Sequence, residues 1–317
     1  MGSKFAEADF SRIRTRPIAS RKNKVTVAEF ARVPGPEERI ADPLAELPDV
    51  LAARDLRTVA DAVSEARQRE RARVWLLGGH VVKTGCSPLL IDLLRRGFVS
   101  HLAMNGATVI HDYEIARFGA TSEDVAENLA DATFGLAEET GREMNEAVKR
   151  GAREGWGMGE SLARALVEGK VEHRAVSLLV AAYDAGVPLT VHAAIGAEII
   201  HQHPACDGAA IGGTSHRDFR ILTASLASLG DGGTVLNIGS AVVLPEVFLK
   251  ALTVARNLGG DIRGFTAADF DMIRHYRPQV NVIGRPVLQG GTGLHITGHH
   301  EILLPLLYRA LRARERG

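Results

Sequence analysis

Apolar residues in this chain come in short runs, each followed by small residues and then by a stretch of helical periodicity. Leu51, Leu56, Val59 and Val63 share one helical stripe, and an arginine-rich turn leads from them into the run Val74-Trp75-Leu76-Leu77. Gly78-Gly79-His80 ends that run. Ser87-Pro88 then predicts a helix start, with serine as cap and proline at the first helical position. The same order of features returns three times. His101 to Met104 leads into Asn105-Gly106-Ala107 and a helix near 109–117; Val187 to Val191 leads into His192-Ala193-Ala194-Ile195-Gly196; Thr234 to Ile238 leads into Gly239-Ser240 and a helix carrying Val247, Phe248, Leu252 and Val254. Near-continuous apolar runs belong to strands covered on both faces, so four strand, turn and helix units predict an α/β fold: a doubly wound, mostly parallel, Rossmann-like sheet.

The first 48 residues show no such pattern. Over residues 1–24, Lys4, Arg12, Arg14, Arg16, Arg21, Lys22 and Lys24 stand against Glu7 and Asp9, and prolines at 34, 36, 43 and 48 punctuate the rest of the stretch. This predicts a basic, proline-punctuated arm over 1–48 and a single Rossmann-like domain over 49–317. The arm is either a solvated terminus or a segment that docks on an acidic surface of a neighbouring subunit.

Composition narrows the function classes. The chain has 317 residues, 45% hydrophobic and 24% charged, the profile of an ordinary globular protein. Lys+Arg and Asp+Glu are both 38, which supplies no general drive toward nucleic acid or an anionic membrane. Cys86 and Cys206 form no CxxC pair, no apolar leader opens the chain, and no run reaches the ~18 apolar residues of a membrane span. The expected location is cytoplasmic. His201-Gln202-His203 and His299-His300-Glu301 lack the spacing of a specific metal site, and no metal is expected.

In a doubly wound sheet, ligands bind beyond the carboxyl ends of the strands. Small residues at 78–79, 105–107 and 239–241 would let a phosphate or ribose approach the main chain there. Lys83, near one strand end, is either a desolvated amine, able to form a Schiff base or contact a phosphate, or a lysine reaching solvent. His111 and Asp112 lie one turn into the next helix, where they could orient an amine or shuttle a proton, or simply pack and start the helix. Glu198 and Glu246 are acids near strand ends, and either could bind a cationic amine or serve its own helix start.

Four segments carry a resemblance. WLLGGHVVKTGCSPLLIDLLRRGFVSHLAMNGATVIHDYEIARFG, GVPLTVHAAIG, DGGTVLNIGSAVVLPEVFLKALTVARNLG and GHHEILLPLL occur in an order and spacing that resemble the deoxyhypusine synthases, over about residues 74 to 310. The resemblance is to a divergent, bacterial-type member. It implies NAD as cofactor, a homotetramer, and oxidation of a small amine or polyamine with or without aminoalkyl transfer. By position it places the cofactor on Gly79, His80, Thr84 and Gly85, on Asn105, Gly106 and Ala107, on Gly239 and Ser240, and on His299 and His300, with Lys83, His111 and Asp112 as the catalytic groups. The family's chemistry runs through an imine-forming lysine in its C-terminal third, whereas the last lysine here is Lys250. Authentic deoxyhypusine synthesis is therefore not expected. The alternative is a non-catalytic nucleotide-binding or regulatory protein that keeps the fold.

Overall fold

A computed structural model describes residues 10–30, 43–45 and 47–315. The central strands form where an apolar run allows burial on both faces. The strands are β1 (Asn23–Thr26), β2 (Arg73–Leu77), β3 (His101–Asn105), β4 (Ala120–Glu123), β5 (Leu189–His192), β6 (Thr234–Ile238), β7 (Thr266–Asp271) and β8 (Thr292–Thr297). Six of them make one sheet in the order β5-β3-β2-β6-β7-β8, with every neighbouring pair parallel. The chain thus builds outward from β2 to one edge, then returns to β6 and builds to the other. This is the dinucleotide-fold order, with its topological switch between β2 and β6.

The two-residue period of the strands divides the core. Trp75 and Leu77 of β2 face a layer of helices that includes Leu51–Gln68 and His300–Arg314, while Val74 and Leu76 face the helices Gly208–Ser225 and Val243–Asn257. Full burial of such side chains contributes roughly 1.5–3 kcal/mol each. The fold class expected from the sequence is the one observed. The sheet is larger than the four units anticipated, because β7 and β8 extend it, and the helix after β2 begins at Ser87 behind Cys86 rather than behind Ser87. Among the described residues no helix is long and apolar enough to cross a membrane.

The described part of the N-terminal arm lies on its own chain. β1 pairs antiparallel with β4, the Ile18 N–H donates to Glu139 at 2.7 Å, and Leu44 is buried in the core. Docking on a neighbouring subunit is not needed to explain order in these residues. The rest of the arm lies outside the described residues.

Candidate active site

The site grows from the carboxyl end of β3. Asn105 caps the helix Gly106–Phe118, its side chain accepting the Thr108 N–H at 2.9 Å. His111 and Glu114, three apart, share one face of that helix and meet β4 and the arm. Arg21 from the arm completes the wall. Its guanidinium, 1% exposed, donates to Glu114 Oε2 at 2.6 Å and lies 3.6 Å from Glu123 Oε1. A buried charge needs such partners, because isolating it from water costs several kcal/mol. Between these groups and the loop after β5 lies a hollow of about 200 Å³, lined by Lys83, Ala107, His111, Glu114, Glu123 and Glu198 among others.

The hydrogen bonds fix the state of His111. Thr121 donates its hydroxyl proton to Glu114 Oε2, so toward His111 Nδ1, 2.8 Å away, it acts as acceptor. Nδ1 therefore carries the proton, and Nε2 has a free lone pair with no partner among the described residues. Burial, then the positive charges of Lys83, Arg21 and His80, pushes His111 down to about 3. It is a neutral acceptor at physiological pH. Lys83 has no ion-pair partner among the described residues, although it shares the hollow with three carboxyl groups.

Glu198 enters from the loop after β5, where Gly196 takes φ +91° and turns the chain back. Its carboxyl lies against the first residue of the helix after β3: a Cβ added at Gly106 would fall 2.2 Å from Glu198 Cγ. The side chain is 7% exposed, Oε1 accepts the Ala194 N–H at 2.8 Å, and burial pushes the group up to about 7.

Of the residues proposed from sequence, Lys83, His111 and Ala107 meet at the hollow, with Gly79 packed against Ala107 and His111. The others lie elsewhere. Asp112, fully buried, accepts from the Ser177 hydroxyl and from the Leu178 and Leu179 N–H groups, so it anchors the start of the helix Leu178–Asp184 and does not line the hollow. Thr84 bonds back to the His80 carbonyl and Gly85 takes φ +72°, both shaping the turn into the next helix. Gly106 is covered by Glu198, so that turn is not open to a phosphate. At the switch point a Cβ on Gly78 would meet the Gly239 carbonyl at 1.9 Å, and one on Gly239 would meet His300 Nε2 at 2.6 Å. Ser240 is buried and faces the Leu244 N–H, while His80 and His299 are exposed. Arg21 lines the hollow although the sequence placed it only in a basic arm, and Glu198, one of two acids that could bind an amine, lines it where Glu246 does not.

A dinucleotide finds part of what it needs. The strand order supplies the crevice, and Gly79, His80 and His299 are accessible beside it, but the hollow lies below the roughly 300 Å³ of typical larger-ligand sites. No acid ends β3 to hold a ribose: Asn105 stands there and caps its own helix.

No family model matches the chain and no curated protein matches it. Solved structures do. A protein from Methanococcus maripaludis assigned as LOR/SDH superposes with a TM-score of 0.51 at 14% identity, over 90% of this chain and 75% of that one. AgrE in a ternary complex with ornithine and NAD+ gives 0.51 at 14% identity over 81% of this chain and 32% of its own, so this chain spans about a third of AgrE. A structure from Entamoeba histolytica assigned as a deoxyhypusine synthase gives 0.47 at 9% identity, over 83% and 88% of the two chains. At such identities the first two likenesses establish the fold: this chain shares the Rossmann-type α/β architecture of those proteins.

Proposed function

We propose that the protein is an NAD-linked enzyme of the deoxyhypusine-synthase-like group that oxidises a small amine or amino acid held in the hollow beside Lys83 and His111. The observation that carries this reading is the neutral His111, its Nε2 lone pair free on a small charged hollow at the carboxyl ends of a sheet with dinucleotide-fold order. AgrE, about a third of which shares this architecture, forms a complex with ornithine and NAD+, which supports an amino-bearing substrate with that cofactor. NAD, when bound, supplies the hydride acceptor. Gly79, His80 and His299 are the residues that would hold it: the two histidines are exposed and Gly79 is half-buried, where Gly106 is covered by Glu198.

Within the hollow, His111 Nε2 accepts a hydrogen bond from the substrate nitrogen and orients it, a role suited to an imidazole that stays neutral. Lys83, cationic and unpaired among the described residues, fits a carboxylate or hydroxyl elsewhere on the substrate. Lysine-borne aminoalkyl transfer is not part of the proposal. Lys250, the last lysine, is 57% exposed and paired with Glu246 on the surface of the helix Val243–Asn257. Assembly as a homotetramer belongs to the same proposal, and a monomeric mass by light scattering would remove it.

The test is an absorbance assay for reduced nicotinamide with NAD and a panel of putrescine, spermidine, agmatine and ornithine. Activity with one of these, lost in His111→Phe and retained in Asp112→Asn protein that still folds, supports the reading. The covered glycines favour a second reading, a fold-keeping protein without the reaction, and binding of NAD with no turnover of any amine would select it.

A further inference from the structure

Three carboxyl groups line the hollow, and two of them have both oxygens engaged. Glu114 accepts from Arg21, Thr121 and Thr140; Glu123 accepts from the Gly135 N–H at 3.0 Å and from Asn128 at 2.7 Å, with Arg21 at 3.6 Å. Glu198 differs. Oε1 accepts the Ala194 N–H, but Oε2 is buried with no donor. It faces His201 Nδ1 at 3.0 Å, and that nitrogen already accepts the Gly196 N–H at 3.0 Å. Two acceptors this close repel unless one carries a proton. A proton on His201 Nδ1 would abolish the Gly196 bond, whereas one on Glu198 Oε2 only shares the Nδ1 lone pair with it, so the proton is assigned to Glu198 Oε2.

The surroundings agree. Arg16 and Arg21 are balanced by Glu114 and Glu123, and the other charged or titratable groups that line the hollow or contact Glu198 are Lys83, His111 and His201. Burial disfavours the ionised carboxyl and raises its proton affinity toward neutrality, where an acid–base group works best. His111, held neutral, cannot fill that role.

We propose that Glu198 is the acid–base residue of the hollow, exchanging a proton with the nitrogen of a primary amine ligand. A neutral amine takes the Oε2 proton and becomes an ammonium paired with the carboxylate; an ammonium arriving from water pairs with Glu198 as its proton leaves to solvent. No other bond forms or breaks. The inference rests on reading the hollow as an amine site and is independent of the cofactor.

The test is calorimetric titration of the full chain with putrescine, at mildly acidic pH, in two buffers of different ionisation enthalpy. Wild-type protein should release about one proton per amine bound. Glu198→Gln keeps an oxygen for the Ala194 N–H but has no proton to give, so release should vanish and affinity fall roughly 10- to 100-fold. Unchanged affinity and proton release in Glu198→Gln overturns the proposal, as does a wild type that binds putrescine without proton exchange or does not bind it. Should the variant fail to fold, the wild-type profile decides: release fading as pH rises through neutrality supports Glu198, and a flat profile overturns it. Titrating NAD into both proteins separates the two readings. NAD failing to bind while proton release persists removes the cofactor alone; NAD binding without amine-linked release removes Glu198 alone.

Discussion

The two halves of the sheet end differently. Beyond β2, β3 and β5, charged side chains from five separate stretches leave a hollow between them. Inside β6, β7 and β8, polar side chains pair from strand to strand instead, although Asn237 Oδ1 and His295 Nε2 are buried without a partner among the described residues. Asn237 donates to Asp269 at 2.7 Å, Asp269 holds His295 Nδ1 at 2.9 Å, and these three sit opposite each other across adjacent strands. Small residues mark the turns of both halves, yet their purposes diverge. Gly78 is glycine because the Gly239 backbone touches it, and Gly239 because its φ is +72° and His300 lies on it; Gly106 is glycine because a carboxyl group lies on it. A glycine at a strand end thus shows that something comes close, and only the space left over shows whether that something is a ligand.

The wall of the hollow is the place to break this contrast most severely. Arg21→Met leaves Glu114 buried without its guanidinium, and denaturant unfolding should register a loss of about 3–5 kcal/mol. A loss below about 1 kcal/mol would mean the arm does not dock as described. Next in size is Gly239→Ala. With φ +72° and His300 in the way, it should cost about 2 kcal/mol while leaving putrescine affinity unchanged.

Gly106→Ala should do the opposite. The gain of alanine over glycine in a helix offsets part of the crowding, so stability moves by no more than about 1 kcal/mol. Glu198 is displaced, however, and amine affinity falls. Equal effects of the two glycine variants on affinity would erase the distinction between the halves.

The smallest effect is on pH dependence. Glu198 holds its proton in the folded state up to about 7 and releases it in the unfolded chain near the ordinary glutamate value, so the native state binds more protons across that interval. Stability should therefore decline as pH rises from the glutamate range toward neutrality. Asp112, raised to about 6, and Asp218, raised to about 7, add to the decline, and Glu198→Gln should make the measured slope shallower without removing it.

Four strands were legible because their apolar runs end in small residues. β7 escaped because Thr266–Asp271 carries two alanines and two acids, and β8 because only its middle is buried at the sheet edge. At the site, Lys83 and His111 were visible as polar residues just past strand ends. Arg21 was not: its partner Glu114 lies 93 positions away, and a basic stretch reads as solvated until a buried carboxylate claims one member. Glu198 was legible only as an acid near a strand end that either binds an amine or starts its own helix; the left-handed Gly196 instead folds it back across the beginning of another helix. Asp112 shows the reverse error. Its place beside His111 in sequence suggested shared chemistry, yet adjacent residues on a helix point about a quarter-turn or more apart.

The central claim is that an amine site and an NAD crevice adjoin at the carboxyl ends of β2 and β3. Calorimetric titration of cofactor-stripped protein with NAD, and then with putrescine or ornithine in its presence, tests it most directly. The account predicts NAD binding in the micromolar range and an amine that binds more tightly once NAD is present. Absence of NAD binding at millimolar concentration, or amine binding indifferent to NAD, would contradict it.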